Sequence, residues 1–178
     1  MVKIEIKRAA ALDAELLAKL SETTFTDAFS HTCSNSDMNE FIDQQFAVPV
    51  LFSELKNMDD YYYIAYVNSI AAGYMRLKED YTDYPAITRY KAIELKRIYV
   101  LKEYQSQKVG EALMQFANDF ANKLKFEALW LGVWEHNVRA ISFYKKQGFK
   151  ETGYTHKFYI GKNESTDLWM IKKLNVSE

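Results

Sequence analysis

Val109, Ala112, Leu113, Phe116, Ala117, Phe120, Ala121 and Leu124 recur at alternating steps of three and one. That spacing lays a continuous apolar stripe along an α-helix, because side chains three and four apart share a face. It is the strongest periodic signal in the chain, and such a helix must bury its stripe against another element. Apolar runs suited to strands flank it, Ile93 to Leu101 before and Ala128 to Trp134 after. A strand, an amphipathic helix and a second buried strand in succession predict a mixed α/β architecture.

The remaining segments fit around that unit. Val2, Ile4 and Ile6 alternate with charged residues and read as a half-exposed first strand. A helix is expected from about Asp13 to Phe29, burying Leu16, Leu17, Leu20 and Phe25. Ser34-Asn35-Ser36-Asp37 is a turn and helix-start signal, with helical segments running to Met58 and interrupted near Pro49. Tyr61–Val67 and Ile70–Leu77 flank Asn68-Ser69 as a candidate hairpin, and Lys78 to Lys91 reads as a loop. Asn137 can cap a second helix ending before Gly148. Phe149–Ile160 and Thr166–Leu174, joined through Gly161-Lys162-Asn163, are expected to form an antiparallel pair.

Composition narrows the function. A chain of 178 residues is one domain's worth, so a single domain over residues 1–178 is expected. It can bury roughly 70% of its unfolded surface without a staple. Lys and Arg total 23 against 24 Asp and Glu, a net charge of −1, which removes the generic case for nucleic-acid binding. The single cysteine, Cys33, excludes an intramolecular disulfide framework and a clustered cysteine zinc site. Three histidines, His31, His136 and His156, lack ligand spacing, so no metal is expected. The longest uncharged stretch, Tyr61 to Met75, is 15 residues, too short to span a bilayer. With charges where a signal peptide would have its apolar core, the expected setting is cytoplasmic, with no membrane partner.

The segment Ile98-Tyr99-Val100-Leu101-Lys102-Glu103-Tyr104-Gln105-Ser106-Gln107-Lys108-Val109-Gly110 ends a strand, crosses a polar loop and opens the amphipathic helix. The first turn of a helix presents unpaired N–H groups and partial positive charge, a natural seat for phosphate. Gly110 admits a bulky anion to the backbone, or it simply packs the helix on the sheet; both readings stand on this segment alone. The loop lacks the glycines of a Rossmann fingerprint and the Gly-Lys-Ser/Thr ending of a P-loop.

Gln105-Ser106-Gln107-Lys108-Val109-Gly110 resembles the (Gln/Arg)-x-x-Gly-x-(Gly/Ala) loop of the GNAT superfamily of N-acetyltransferases, with Lys108 where the first glycine stands. Asn137-Val138-Arg139-Ala140-Ile141-Ser142-Phe143-Tyr144-Lys145-Lys146-Gln147-Gly148-Phe149 matches that family's Asn-x-x-Ala-x-x-Phe-Tyr-x-x-x-Gly-Phe segment at every specified position. The resemblance implies a mostly antiparallel sheet flanked by helices, and acetyl-coenzyme A as co-substrate without a metal. It implies a coenzyme site made of Ile98, Tyr99, Val100, Gln105, Ser106, Gln107, Lys108, Val109, Gly110, Glu111, Ala112, Asn137 and Tyr144. Backbone amides of the loop would grip the pyrophosphate, Asn137 the pantetheine arm, and Tyr144 would point its hydroxyl at the thioester sulfur. Thr24 to Phe29, Asn35, Asp37-Met38, Phe46, Leu51, Glu54-Leu55 and Leu129 to Glu135 are similar to the bacterial spermidine/spermine N-acetyltransferase subgroup.

Acetyl transfer to an amine needs a neutral nucleophile, an oxyanion site and a proton for the leaving thiolate. An alkylamine with pKa about 10.4 is almost wholly protonated at pH 7, so deprotonation must be assisted. Glu94 is the first candidate base, with a solvated strand charge paired to Lys96 as the equal alternative. A backbone N–H around Ile98 to Val100 would hold the oxyanion, and Tyr144 would be the general acid. Asp27, Asp37, Asp80, Asp83, Glu94, Tyr81 and Tyr84 are candidate walls for a multiply cationic acceptor. The expected partner is a small-molecule amine, most simply a polyamine, and a homodimer is possible. Acceptors of other kinds, and a non-catalytic acyl-coenzyme A-binding module, are the rival readings.

Overall fold

A computed structural model describes residues 3–79 and 85–174. The expected elements are present, with bounds set by tertiary pairing. β1 (Ile4–Arg8) leads into α1 (Ala14–Phe29), α2 (Asn35–Phe46) and α3 (Val48–Lys56). Ala47 breaks the chain between α2 and α3, and Pro49 sits in the first turn of α3, where its missing N–H costs nothing. β2 (Asp60–Val67) and β3 (Ile70–Lys78) form the hairpin, with Asn68 and Ser69 at φ 48° and 71° in its two-residue turn. β4 (Ala92–Val100), α4 (Val109–Lys123), β5 (Ala128–Trp134) and α5 (Val138–Lys146) follow, then β6 (Lys150–Ile160) and β7 (Asn163–Lys173). β7 begins earlier than its apolar run, because Asn163, Glu164 and Ser165 pair with Ile160, Tyr159 and Phe158 across a tighter turn.

The seven strands form one sheet in the order β1-β2-β3-β4-β5-β7-β6, every neighbouring pair antiparallel except β4 with β5. The mostly antiparallel α/β sheet expected from the sequence is therefore the observed one. Helices cover both faces. α4 packs on one face with Leu113, Met114, Ala117 and Ala121 fully buried against Met75, Leu77, Ile93 and Leu131. Burying a side chain such as Leu113 or Met114 contributes about 1.5–3 kcal/mol. The buried centre of α4 is rotated from the sequence stripe: Met114 and Asn118 are inside while Phe116 and Phe120 are half-buried against Tyr61 and Tyr63. Asn118 is tolerated there because its Nδ2 donates to the Met114 carbonyl at 2.7 Å.

On the opposite face, α1 and α3 cover Tyr62, Ile64 and Tyr74. A charged cluster is buried beneath them. Arg76 Nε donates to Asp60 Oδ1 at 2.7 Å and its Nη1 to Glu54 Oε1 at 2.8 Å. Arg97 Nη1 donates to Tyr62 Oη at 2.7 Å, and the Tyr62 hydroxyl donates to Glu54. Two cations meet two carboxylates, so the cluster is neutral as a whole, and it ties α3 to β2, β3 and β4. Burial pushes the Tyr62 hydroxyl far above its usual range, which keeps it a donor.

Removing one cation strands the carboxylates in a dry site. Arg76→Ala should therefore lower unfolding free energy by about 3–5 kcal/mol. Urea titration of both proteins checks this, and a loss below about 1 kcal/mol would mean the cluster is not holding the sheet.

Candidate active site

β4 and β5 pair over only three residue pairs, Ala92–Ala128, Ile93–Leu129 and Glu94–Trp130. Beyond them β4 continues to Val100 along β3, and β5 continues to Trp134 along β7. The two strands thus part in the middle of the sheet while each stays paired on its other side. A bulge accompanies the parting: Arg76 pairs with Arg97 and Leu77 with Leu95, so Lys96 has no partner on β3. The extra residue switches the alternation of β4. Ile93 and Leu95 face α4 before it, and Ile98 and Val100 after it.

Register fixes where the amides of β4 point. Leu101 N–H donates to the Ala72 carbonyl of β3 at 2.9 Å. By alternation the amides of Arg97 and Tyr99 also face β3, and those of Ile98 and Val100 face the gap. The oxyanion expectation over Ile98 to Val100 narrows accordingly: the Tyr99 amide belongs to the β3 ladder. The Tyr99 side chain lies on the α1 side, 5.9 Å from the Tyr74 ring and 6.5 Å from Phe25.

The loop after β4 delivers the chain to α4. Lys108 is the residue before α4 and has φ 61°, the left-handed conformation that glycine adopts freely. At the position where the resembling family has glycine, Lys108 holds this conformation at a cost of about 1–2 kcal/mol. No side chain caps this end of α4. The first intrahelical bond here is Ala112 N–H to Lys108 O, so the amides of Val109, Gly110 and Glu111 remain open at the helix end. Ser106 is exposed, and Gln107 Nε2 donates to Glu103 O within the loop. A Cβ on Gly110 would meet only Phe143 Cζ at 3.9 Å and Val100 Cγ2 at 4.0 Å, so the glycine leaves an open approach between β4 and α5.

Gln105 does two structural jobs. Its Nε2 donates to the Val100 carbonyl at 3.1 Å, and its Oε1 accepts from Arg139 Nη1 at 2.7 Å. The loop is thereby fastened to the end of β4 and to α5. Asn137 Oδ1 caps α5 by accepting from Ala140 N–H at 3.1 Å, and among the described residues its Nδ2 has no hydrogen-bond partner. Tyr144 projects from α5 into the core, with Phe143 and Phe149 rings at 5.5 and 5.8 Å. Burial, reinforced by the Asp167 charge, pushes its hydroxyl well above the usual tyrosine range, so it is protonated at neutral pH.

Carboxylates and aromatic rings gather on the α1–α2 side of the gap. Glu94 is buried, and its Oε1 accepts from Lys96 Nζ at 3.3 Å, so the pairing with Lys96 is present but the carboxylate is not solvated. Phe25, Phe29, Phe46 and Ile160 are buried there with Phe41, Trp134 and Phe158 packed on them. Asp27 pairs with Lys102 at 2.8 Å, and Ser34 caps α2 by accepting from the Asp37 N–H while its hydroxyl donates to the Asp37 carboxylate. Asp80, Tyr81, Asp83 and Tyr84 lie outside the described residues. Sequence reasoning missed Arg139 and Asp167. The second of these, on β7, has its carboxyl raised by burial to about 6; only the β5–β7 register brings it to the gap.

A strand gap lined by open amides, an uncapped helix end beside it and a buried phenol suit a thioester carried on a phosphorylated arm, and this is the arrangement of an acyltransferase. Residues 18–149 match the acetyltransferase (GNAT) family, and the chain belongs to it. It is an acetyl-coenzyme A-dependent acyltransferase. An uncharacterized N-acetyltransferase encoded in the pepI 3′ region of Lactobacillus delbrueckii subsp. lactis is 29% identical, over 98% of this chain and 99% of that one. The spermidine N(1)-acetyltransferase of Thermoplasma acidophilum is 27% identical over 84% of this chain and 89% of its own. Among solved structures, PaiA N-acetyltransferase from Thermoplasma acidophilum in complex with coenzyme A shares the fold at TM-score 0.77 and 24% identity, over 96% and 99% of the two chains. The Escherichia coli ribosomal-protein-S18-alanine N-acetyltransferase shares it at TM-score 0.73 and 17% identity, over 99% and 97%.

The Lys108 conformation yields a test of the loop. Lys108→Gly should keep the dissociation constant for coenzyme A within about threefold, since glycine takes this φ without strain. Lys108→Val, β-branched and disfavoured there, should weaken it by tenfold or more. Isothermal titration distinguishes the two, and equal affinities would separate the loop from coenzyme binding.

Proposed function

We propose that this chain transfers the acetyl group of acetyl-coenzyme A directly to a primary amine of a polyamine. Acetyl-coenzyme A supplies an activated thioester. The amides of Val109, Gly110 and Glu111 would hold its pyrophosphate, Asn137 Nδ2 would donate to the pantetheine arm, and the Ile98 or Val100 amide would receive the carbonyl oxygen. Tyr144 would protonate the departing sulfur. Its buried, protonated hydroxyl, within electrostatic reach of Asp167, is the observation that supports the direct-transfer reading.

The polyamine reading rests on two supports. One is the 27% identity to a spermidine N(1)-acetyltransferase. The other is the pairing of carboxylates with aromatic faces on the acceptor side, where Asp167 stands opposite Trp134, whose ring meets Phe29, and Glu94 acts electrostatically on Asp167. Such a surface suits an alkylammonium chain, whose charges seek carboxylates and whose methylenes seek rings.

Free-thiol release from acetyl-coenzyme A against spermidine, spermine, putrescine, amino acids, an aminoglycoside and short peptides tests the acceptor. Fastest release with spermidine or spermine is the expected result; release confined to another amine would discard the polyamine assignment. Tyr144→Phe should lower kcat by about 100-fold or more while leaving coenzyme A affinity within about threefold. Unchanged turnover, or equal losses in turnover and affinity, would remove Tyr144 as the acid.

A further inference from the structure

Asp167 occupies a place in β7 that only the sheet's register reveals. It stands opposite Trp134 of β5 and opposite His156 of β6. Its carboxylate leans diagonally across β5, with Oδ2 3.1 Å from the position a Cβ on Gly132 would take. A glycine in a strand interior lowers stability by about 0.5–1 kcal/mol relative to alanine, and it marks a close approach. Here the approaching group is a carboxylate, and it leans toward the edge where β5 leaves β4. Any side chain at position 132 would push it back.

From there Asp167 faces the reacting region from the β5 side. Its charge acts on Lys96 and Glu94 across the gap on β4, on the Tyr99 hydroxyl, and on the Tyr144 hydroxyl of α5. Among the described residues His156 of β6 faces it by cross-strand register, and the His31 and His136 rings meet Trp134, its partner on β5. The neighbouring carboxylates are engaged: Glu94 with Lys96, Asp27 with Lys102. Among the described residues no side chain hydrogen-bonds or ion-pairs with Asp167.

We propose that Asp167 is the catalytic base that takes a proton from the acceptor ammonium group, an assignment that rests on amine acetylation as the reaction. One ammonium N–H bond breaks and an O–H bond forms on the Asp167 carboxylate. The freed nitrogen lone pair forms the N–C bond to the acetyl carbon as the C–S bond breaks, and the sulfur leaves with the Tyr144 proton. The second proton lost by the nitrogen restores the Tyr144 hydroxyl, and Asp167 releases its proton to water. Glu94, held against Lys96, serves to orient the ammonium.

The sign of the pH dependence follows from the environment of Asp167. Burial raises its carboxyl to about 6, with Lys96 opposing and Glu94 reinforcing the shift. The active carboxylate form is then about tenfold in excess at pH 7 and is lost as pH falls through 6. A base of this kind is stronger than an exposed aspartate yet still ionised at neutrality.

The test is kcat/KM between pH 5 and 8, with spermidine or the panel amine that releases thiol fastest, for wild type, Asp167→Asn, Gly132→Ala, Glu94→Gln and His156→Gln. Wild type should fall tenfold per pH unit below about 6. Asp167→Asn should be about 100-fold slower or worse at pH 7, lack that acid limb, and bind coenzyme A within about threefold of wild type. Gly132→Ala, which displaces the carboxylate without removing it, should lose about tenfold with coenzyme A binding intact, and it decides the matter if Asp167→Asn does not fold. Glu94→Gln and His156→Gln should both retain the limb; histidine is the other side-chain type here that changes charge in this range. Wild-type rates and limb in both Asp167→Asn and Gly132→Ala would overturn the assignment alone, as would loss of the limb in Glu94→Gln. A wild-type enzyme that acetylates no amine would overturn both the assignment and the reaction it rests on.

Discussion

The early separation of β4 from β5 is the constraint on which the site depends. A fully paired sheet has no backbone donors to offer in its middle. Here the ladder stops at Glu94 and Trp130, and the amides of Ile98 and Val100 face a gap between two strands that are each still paired on the far side. Buried, unpaired N–H groups are costly, so such a gap suits a ligand that can accept from them. The bulge at Lys96 makes the arrangement workable. It re-aims β4, putting Ile98 and Val100 under α4 and α5 while Arg97 and Tyr99 turn to the opposite face.

Two fixtures hold the parted strands in place. Behind β4, the neutral cluster of Arg76, Arg97, Glu54, Asp60 and Tyr62 joins three strands to α3. Its net contribution to stability is modest in principle, because desolvation offsets attraction, but losing a single member is severe. In front, the Gln105 side chain spans from the Val100 carbonyl to Arg139 and so couples the loop before α4 to the first turn of α5. The helix end, the strand gap and Tyr144 are therefore positioned relative to one another by hydrogen bonds as well as by packing.

Much of this was legible in the sequence wherever the signal was local. The α4 helix, the apolar run of β5, the turn at Asn68-Ser69 and the Asn137 cap each follow from periodicity or capping within a few residues, and all four are observed. The Gln105–Gly110 and Asn137–Phe149 segments point to the same coenzyme even though one glycine is replaced, because Lys108 reproduces the glycine conformation. What stayed hidden depends on pairing between distant segments. The Lys96 bulge exists only relative to β3, the polar start of β7 is a strand only because β6 is beside it, and Asp167 meets Gly132 only through the β5–β7 register. The inward rotation of α4 toward Met114 and Asn118 likewise reflects the surface it meets, which no helical period contains.

Amide hydrogen exchange with and without acetyl-coenzyme A reads these backbone donors themselves. Exchange should slow at Ile98 or Val100 on β4 and at Val109, Gly110 and Glu111 in the first turn of α4, with the Tyr99 amide, already bonded to β3, little changed. Acetyl-coenzyme A binding that leaves all five amides unprotected, with protection elsewhere, would mean that the parting of β4 and β5 is not the coenzyme site.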